Sequence, residues 1–169
     1  MGQIYPGQPR CRIRPEVLKI LNNDFMLATT IRVRYSETDQ MGFVYNANYL
    51  DWFEIARTEF CRSFGVPYSK WEEDGVMLPV VECHCRYKHP ARYDDLMQLW
   101  CRISDIKIHS VTFEYRLLRA SDYKLIAEGW TKHGFTDRQG HLYRREHPFY
   151  NWLLANSSEQ KTKTDGHEA

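Results

Sequence analysis

One stretch of helical period followed by several stretches of period two is the strongest constraint on how this chain folds. Between residues 48 and 64, Tyr49, Trp52, Phe53, Ala56, Phe60 and Phe64 recur every three or four positions, which puts them on one broad helix face. Asp51, Glu54, Arg57, Thr58, Glu59 and Arg62 fill most of the remainder. Asn48 is the expected N-cap, Asp51 suits the positive end of the dipole, and Gly65 with Pro67 ends the segment. Beyond Leu78 the period falls to two. Residues 80–87 read as a strand, and in 96–108 Met97, Leu99, Cys101 and Ile103 oppose Gln98, Arg102 and Ser104. Val111, Phe113, Tyr115 and Leu117 alternate with Thr112, Glu114 and Arg116, and residues 125–136 make the last strand before a turn at 137–140. Upstream of the helix, residues 31–35 alternate apolar side chains with arginines. Residues 148–156 read as a short closing helix.

Strands joined by short links pair antiparallel. A sheet of this kind needs cover on one face, and only one long helix can give it. The expected class is α+β: a curved antiparallel sheet wrapped around one helix. A chain of 169 residues, 43% of them hydrophobic, favours one domain with a sizeable core. That domain is expected over residues 27–155, with 1–26 as a mobile or loosely packed extension and 156–169 as a polar, disordered tail.

Charge and cysteine usage narrow the function. Lys plus Arg number 23 against 22 Asp plus Glu, so no global field favours nucleic acid or an anionic membrane. No apolar run approaches the ~20 residues of a membrane span, and nothing at the start resembles a signal peptide. A cytoplasmic protein with reduced thiols is expected. The five cysteines Cys11, Cys61, Cys83, Cys85 and Cys101 are scattered. In Cys83-His84-Cys85 both thiols fall on one face of a strand and no second pair follows, so no metal site is assigned. His133, His141 and His147 lack metal-like spacing and are given no role.

The connection between first strand and helix reads YSETDQMGFVYNANY, residues 35–49, and carries more chemistry than a turn needs. Asp39-Gln40-Met41-Gly42-Phe43-Val44-Tyr45-Asn46-Ala47-Asn48-Tyr49, followed by Phe53-Glu54-Ile55-Ala56-Arg57-Thr58-Glu59, resembles the signature of the 4-hydroxybenzoyl-CoA thioesterase family. That family's bacterial members include the thioesterases associated with the Tol–Pal system. A second block, Tyr87-Lys88-His89-Pro90-Ala91-Arg92-Tyr93-Asp94-Asp95, resembles the family's Pro-Ala-x-Tyr-x-Asp segment, and the likeness covers about residues 30–148.

The resemblance implies a hotdog fold and hydrolysis of an acyl-CoA to free acid and CoA, without cofactor or metal. It puts Asp39 in the place of the catalytic carboxylate, as nucleophile or as general base for water. The backbone N–H of Asn46, at the start of the helix, is then the donor to the developing oxyanion. Gly42 supplies the tight bend between them. Many Tol–Pal-type members carry His at the position of Asn46 and the 4-hydroxybenzoyl-CoA enzyme carries Tyr. An Asn side chain trades no proton near neutral pH, but a backbone donor survives that change.

Tyr45 and Glu54 are carried over as substrate contacts, although Tyr45, like Tyr35 and Glu37, is also read as packing or hydrogen-bonding beside the site. Lys107, His109 and Ser110 match a stretch that holds the nucleotide end in some relatives, and Lys88, His89 and Arg92 form a second basic candidate. The resemblance also implies a homodimer or homotetramer. The competing reading of the loop makes Gly42 a plain turn residue and Asp39 a cap on a loop amide. Other functions left open are hydrolysis of an acyl carrier protein thioester, hydrolysis of an aromatic acyl-CoA such as 1,4-dihydroxy-2-naphthoyl-CoA, and non-catalytic binding of acyl-CoA.

Overall fold

The alternating segments pair as their pattern requires. In the computed structural model, which describes residues 19–21 and 24–165 (side chains to 157), β1 (Met26–Arg32), β2 (Val80–Tyr87), β3 (Leu96–Lys107), β4 (Ser110–Arg119) and β5 (Lys124–Gly134) form one sheet. Its order is β1-β3-β4-β5-β2, and every neighbouring pair is antiparallel. Register shifts interrupt all four pairings, for example between Ile103 and Asp105, and such bulges bend a sheet. Helix α1 (Asn48–Ser63) lies against the inner face, burying Tyr49, Trp52, Phe53, Ala56, Phe60 and Cys61. They meet Met97, Leu99 and Cys101 of β3 and Phe113, Tyr115 and Leu117 of β4 in one core. A short α2 (Tyr68–Glu73) and a closing α3 (Pro148–Asp165) cover the far end of α1, where Trp71 stacks on Phe149 with centroids 4.3 Å apart. This is the hotdog arrangement that the resemblance implied. No helix among the described residues is long and apolar enough to cross a membrane.

Helix and sheet approach closely at Gly129. A Cβ there would sit 2.2 Å from the His84 carbonyl and 2.7 Å from the Phe53 ring, so the ring lies where a side chain would otherwise stand. Phe53 stacks on Tyr115 in the next strand, 4.4 Å between centroids at 8°. One turn along, Arg57 Nη1 reaches His133 Nε2 (3.3 Å) and the Tyr115 hydroxyl (3.5 Å). The His133 Nδ1 faces the Leu78 carbonyl at 3.0 Å, and since a carbonyl only accepts, Nδ1 carries the proton. Nε2 therefore accepts from Thr131, at 2.8 Å. Burial, reinforced by Arg57, pushes the His133 imidazole down to about 4. A histidine without assigned role is thus a neutral core group joining α1, β5 and the approach to β2.

Several expected boundaries move. The first strand is Met26–Arg32 rather than 31–35, because Val33 leaves the sheet to bond Asp95 O (2.9 Å) and to accept from Asp94 N–H (3.0 Å). Tyr35–Glu37 is a turn of 3-10 helix instead. Ala47 is the N-cap of α1; Asn48 lies in the first turn, where its side-chain amide donates to Glu37 O. The closing helix continues past Asn156 to Asp165. The domain does not begin cleanly at residue 27 either, since Leu21 and Phe25 are buried on the outer face of the sheet with Trp100 and Leu118. Arg102 and Arg116 lie over the Phe25 ring at 4.8 and 5.0 Å, and Arg102 pairs with Asp24 and Glu114. Residues 1–18, 22–23 and 166–169 lie outside the described residues, as does Cys11.

Phe25→Ala is expected to lower stability by about 3 kcal/mol, read from the urea unfolding midpoint, because it empties this second cluster.

Candidate active site

The loop from 35 to 49 is held by one buried acid. Glu37 is 8% exposed. Its carboxylate accepts from the Arg34 N–H (2.7 Å), the Arg34 guanidinium (3.2 Å) and the Trp52 indole N–H (3.1 Å). Its carbonyl accepts from the Tyr45 N–H (2.9 Å) and the Asn48 amide (2.8 Å). Burial alone would raise this carboxyl, but the donors outweigh it and hold the group below the usual carboxylate range.

Within that frame the chain turns at Asp39. Gly42 N–H returns to Asp39 O (3.0 Å) and Asp39 N–H reaches Phe43 O (2.8 Å). Gly42 has φ +73°, a conformation that costs any other residue about 1–2 kcal/mol. Asp39 Oδ1 accepts the Met41 N–H at 2.8 Å, which is the capping contact of the plainer reading. Oδ2 has no hydrogen-bond partner among the described residues. At the start of α1, Asn48 N–H donates to Tyr45 O (3.0 Å), while the N–H groups of Asn46 and Ala47 find no acceptor among the described residues.

A cavity of about 350 Å³ joins these groups. One wall carries Asp39, Met41, Phe43, Val44, Asn46 and Tyr49; the other is the end of β2 and the residues after it, Tyr87, Lys88, His89 and Pro90. Val44 N–H to Ala91 O (2.9 Å) staples the two segments together. Tyr49 packs edge-on to Tyr87 with centroids 5.0 Å apart, and burial pushes its phenol up to about 12. The Arg92 guanidinium lies over the Phe43 ring at 4.6 Å, beside the turn. Lys88 pairs with Glu128 (3.0 Å).

Asp39 and Asn46 therefore share a cavity, with Gly42 in the bend between them. The other candidates stand apart from it. Tyr45 does not line the cavity; its side chain is exposed and its N–H is tied to Glu37. Glu54 is exposed on α1, eight residues beyond Asn46 and so roughly 12 Å along the helix axis. Lys107, His109 and Ser110 lie at the opposite end of the sheet. Tyr87 pairs with Ala127 and Ala127 with Leu117, whereas Ser110 is seven residues further along β4, roughly 23 Å away. Lys107 pairs with Asp105 (3.2 Å) and Ser110 is buried. The second basic candidate is the one at the cavity: Lys88 and His89 line it, and Arg92 adjoins it.

Residues 33–157 match the family described as the thioesterase-like superfamily. The chain belongs to that superfamily. A protein named acyl-CoA thioesterase YbgC, from Haemophilus influenzae, is 36% identical over 101 residues, 59% of this chain and 73% of that protein. A solved structure of a hypothetical protein from Thermus thermophilus is 35% identical with a TM-score of 0.70, covering 75% of this chain and 96% of that one. The structure of a DHNA-CoA thioesterase from Staphylococcus aureus is 25% identical with a TM-score of 0.75, covering 86% and 97%. The match to the superfamily spans the turn, α1 and the whole sheet from β2 onward, but not Leu21 or Phe25.

Met41, Phe43, Val44, Tyr49, Tyr87 and Pro90 line the cavity without having been singled out as site residues. Tyr49 was legible as a core position and as the end of the first block, and nothing in the local pattern brings Tyr87 to a loop some forty residues earlier.

Glu37→Gln is expected to cost about 2 kcal/mol at pH 7, since it removes the charge from three donors. Because the folded-state carboxyl titrates below its ordinary value of 4.5, wild type keeps this advantage above pH 4.5 and loses it as pH falls further. Urea unfolding of both proteins between pH 3 and 7 checks the convergence.

Proposed function

We propose that this protein is an acyl-CoA thioesterase that releases a free acid and CoA, with Asp39 as the reactive carboxylate and the Asn46 N–H as the donor to the thioester oxygen. The observation that carries the reading is one cavity lined by both residues, in which the helix-end N–H has no acceptor among the described residues. The acyl-CoA thioesterase relative supports it. A helix N-terminus directs unpaired N–H groups and positive potential at a developing oxyanion. Two routes satisfy the chemistry. The free oxygen of Asp39 attacks the carbonyl carbon, the thiolate of CoA leaves, and water then cleaves the resulting anhydride. Alternatively Asp39 takes a proton from water, whose oxygen attacks while the thiolate leaves. The Met41 N–H on Oδ1 orients the carboxylate in either case. Neither route needs a cofactor.

Within the superfamily we infer the 4-hydroxybenzoyl-CoA thioesterase-like branch, Tol–Pal type, on the blocks 39–49 and 87–95. The aromatic walls of Phe43, Tyr49 and Tyr87 favour an aromatic acyl group as the second reading, and the Staphylococcus aureus structure named for DHNA-CoA supports it. Lys88, His89 and Arg92 are the basic side chains suited to the phosphates of CoA, while Lys107, His109 and Ser110 serve that role only if a second copy brings them to the cavity. A homodimer fits the open edge of β2, where Val81 is 55% exposed and only Cys85 is partly covered. The free thiols of Cys61, Cys83, Cys85 and Cys101 suit a reducing compartment, so we infer the cytoplasm.

A panel of short aliphatic, long aliphatic and aromatic acyl-CoAs, followed by release of free thiol, tests the reading. At least one thioester should turn over, and Asp39→Asn should lower its kcat about 100-fold or more. Turnover of that thioester by Asp39→Asn at the wild-type rate would leave Asp39 as a turn cap and refute the assignment. Binding of a non-hydrolysable CoA analogue with no hydrolysis across the panel would favour a binding module.

A further inference from the structure

Tyr87 closes β2 at the edge of the sheet, and its hydroxyl donates to the carbonyl of Asn46 at 3.1 Å. This hydrogen bond joins the two walls of the cavity, from the strand end to the helix start. Among the described residues Asn46 O has one other donor, the Tyr49 N–H at 3.4 Å, longer than the usual ~2.9–3.0 Å of such bonds. The first peptide of the helix is therefore held more closely by a side chain on the sheet than by its own helix. Resting on the reading of the helix end as the oxyanion donor, we infer that Tyr87 is a positioning residue for thioester hydrolysis. It holds the Asn46–Ala47 peptide, and with it the open N–H end of α1, in register with Asp39.

The geometry of the peptide gives the mechanism. A trans peptide is planar, with its C=O and the following N–H pointing in opposite directions, so fixing the Asn46 carbonyl also fixes the Ala47 N–H. On the other side of Asn46, the Asn48 N–H bonded to Tyr45 O (3.0 Å) fixes the peptide that carries the Asn46 N–H. Both free donors are thus set by hydrogen bonds to the carbonyls behind them. A bond donated to a peptide carbonyl also polarises that unit and strengthens its N–H as a donor. The Tyr87 hydroxyl does not swing freely, because its ring packs edge-on against buried Tyr49 (5.0 Å, 78°). Tyr87→Phe removes a single hydrogen bond and leaves the ring against Tyr49, so it changes global stability little. An effect on turnover without an effect on unfolding is what separates positioning from mere support.

The test compares Tyr87→Phe, Tyr87→4-aminophenylalanine and Asp39→Asn with wild type, using the thioester of the panel that is hydrolysed fastest. Tyr87→Phe keeps the ring against Tyr49 and loses the donor. Its kcat should fall roughly tenfold or more, with KM and the thermal midpoint little changed. The amino variant restores an N–H donor in the same place and should recover most of the loss. Wild-type kcat in Tyr87→Phe, beside an inactive Asp39→Asn, overturns the inference and leaves the site reading standing. A loss that tracks a lowered thermal midpoint, or that the amino variant does not recover, also overturns it. Wild-type turnover in Asp39→Asn overturns the site reading itself and this inference with it.

Discussion

The buried carboxylate of Glu37 is the constraint on which the rest of the site depends. A 15-residue connection cannot be positioned by the sheet alone, because β1 ends at Arg32 and α1 begins only at Asn48. Glu37 supplies the missing anchor from both of its ends. Its side chain draws in Arg34 and the indole of Trp52 on the buried face of α1, while its carbonyl takes the Tyr45 N–H and the Asn48 amide. Entry to the turn, exit from the turn and helix are thereby tied to a single residue. An acid at this depth tolerates its desolvation only because several donors converge on it.

The position of α1 on the sheet follows from packing in which no atom can be added. Phe53 occupies the space over Gly129, and the stack on Tyr115 fixes the rotation of the helix. The Arg57, His133, Thr131 and Tyr115 contacts add a polar tie one turn further on. Since the donors at a helix start point along its axis, rotation and tilt at Phe53 govern where Asn46 and Ala47 direct theirs. Core packing and the chemistry of the turn are two ends of one lever. The covering of Trp100 and Leu118 by Leu21 and Phe25 acts on the other face and leaves this lever alone.

Much of this was legible in the sequence. The helical spacing from Tyr49 to Phe60 and the alternation in residues 96–117 each report which side of an element is buried, so the class and the helix-on-sheet arrangement follow from period alone. The turn was legible because Asp39, Gly42 and Asn46 are concentrated in a few residues. What period cannot report is contact between distant segments. Hence Tyr87 read as a strand end and the start of the second block with no role of its own, His133 as a residue without role, and Leu21 and Phe25 as part of a loose extension. Glu54, Lys107, His109 and Ser110 were drawn toward the site by likeness to a family pattern, whereas helix rise and strand register set them roughly 12 and 23 Å from it along this chain. The N-cap moved by one residue for a local reason: Glu37 O competes for the Asn48 side chain.

The capping contact at Asp39 bears on how the loop is to be understood. A carboxylate has two oxygens, and the Met41 N–H engages only Oδ1. A free carboxylate at a turn rotates about its χ angles and spends its time in many orientations. One that is pinned through a single oxygen presents the other in a fixed direction, at no cost at the moment of reaction. The same holds at the start of α1, where the hydrogen bonds on Tyr45 O and Asn46 O fix the peptides whose N–H groups have no acceptor among the described residues. Each half of the proposed site thus has one member of a pair spent on structure and the other left for substrate. A turn reading and a catalytic reading of Asp39 do not compete on this geometry. On the proposed function the cap aims the oxygen that would react, and Gly42 is the residue that lets the cap form.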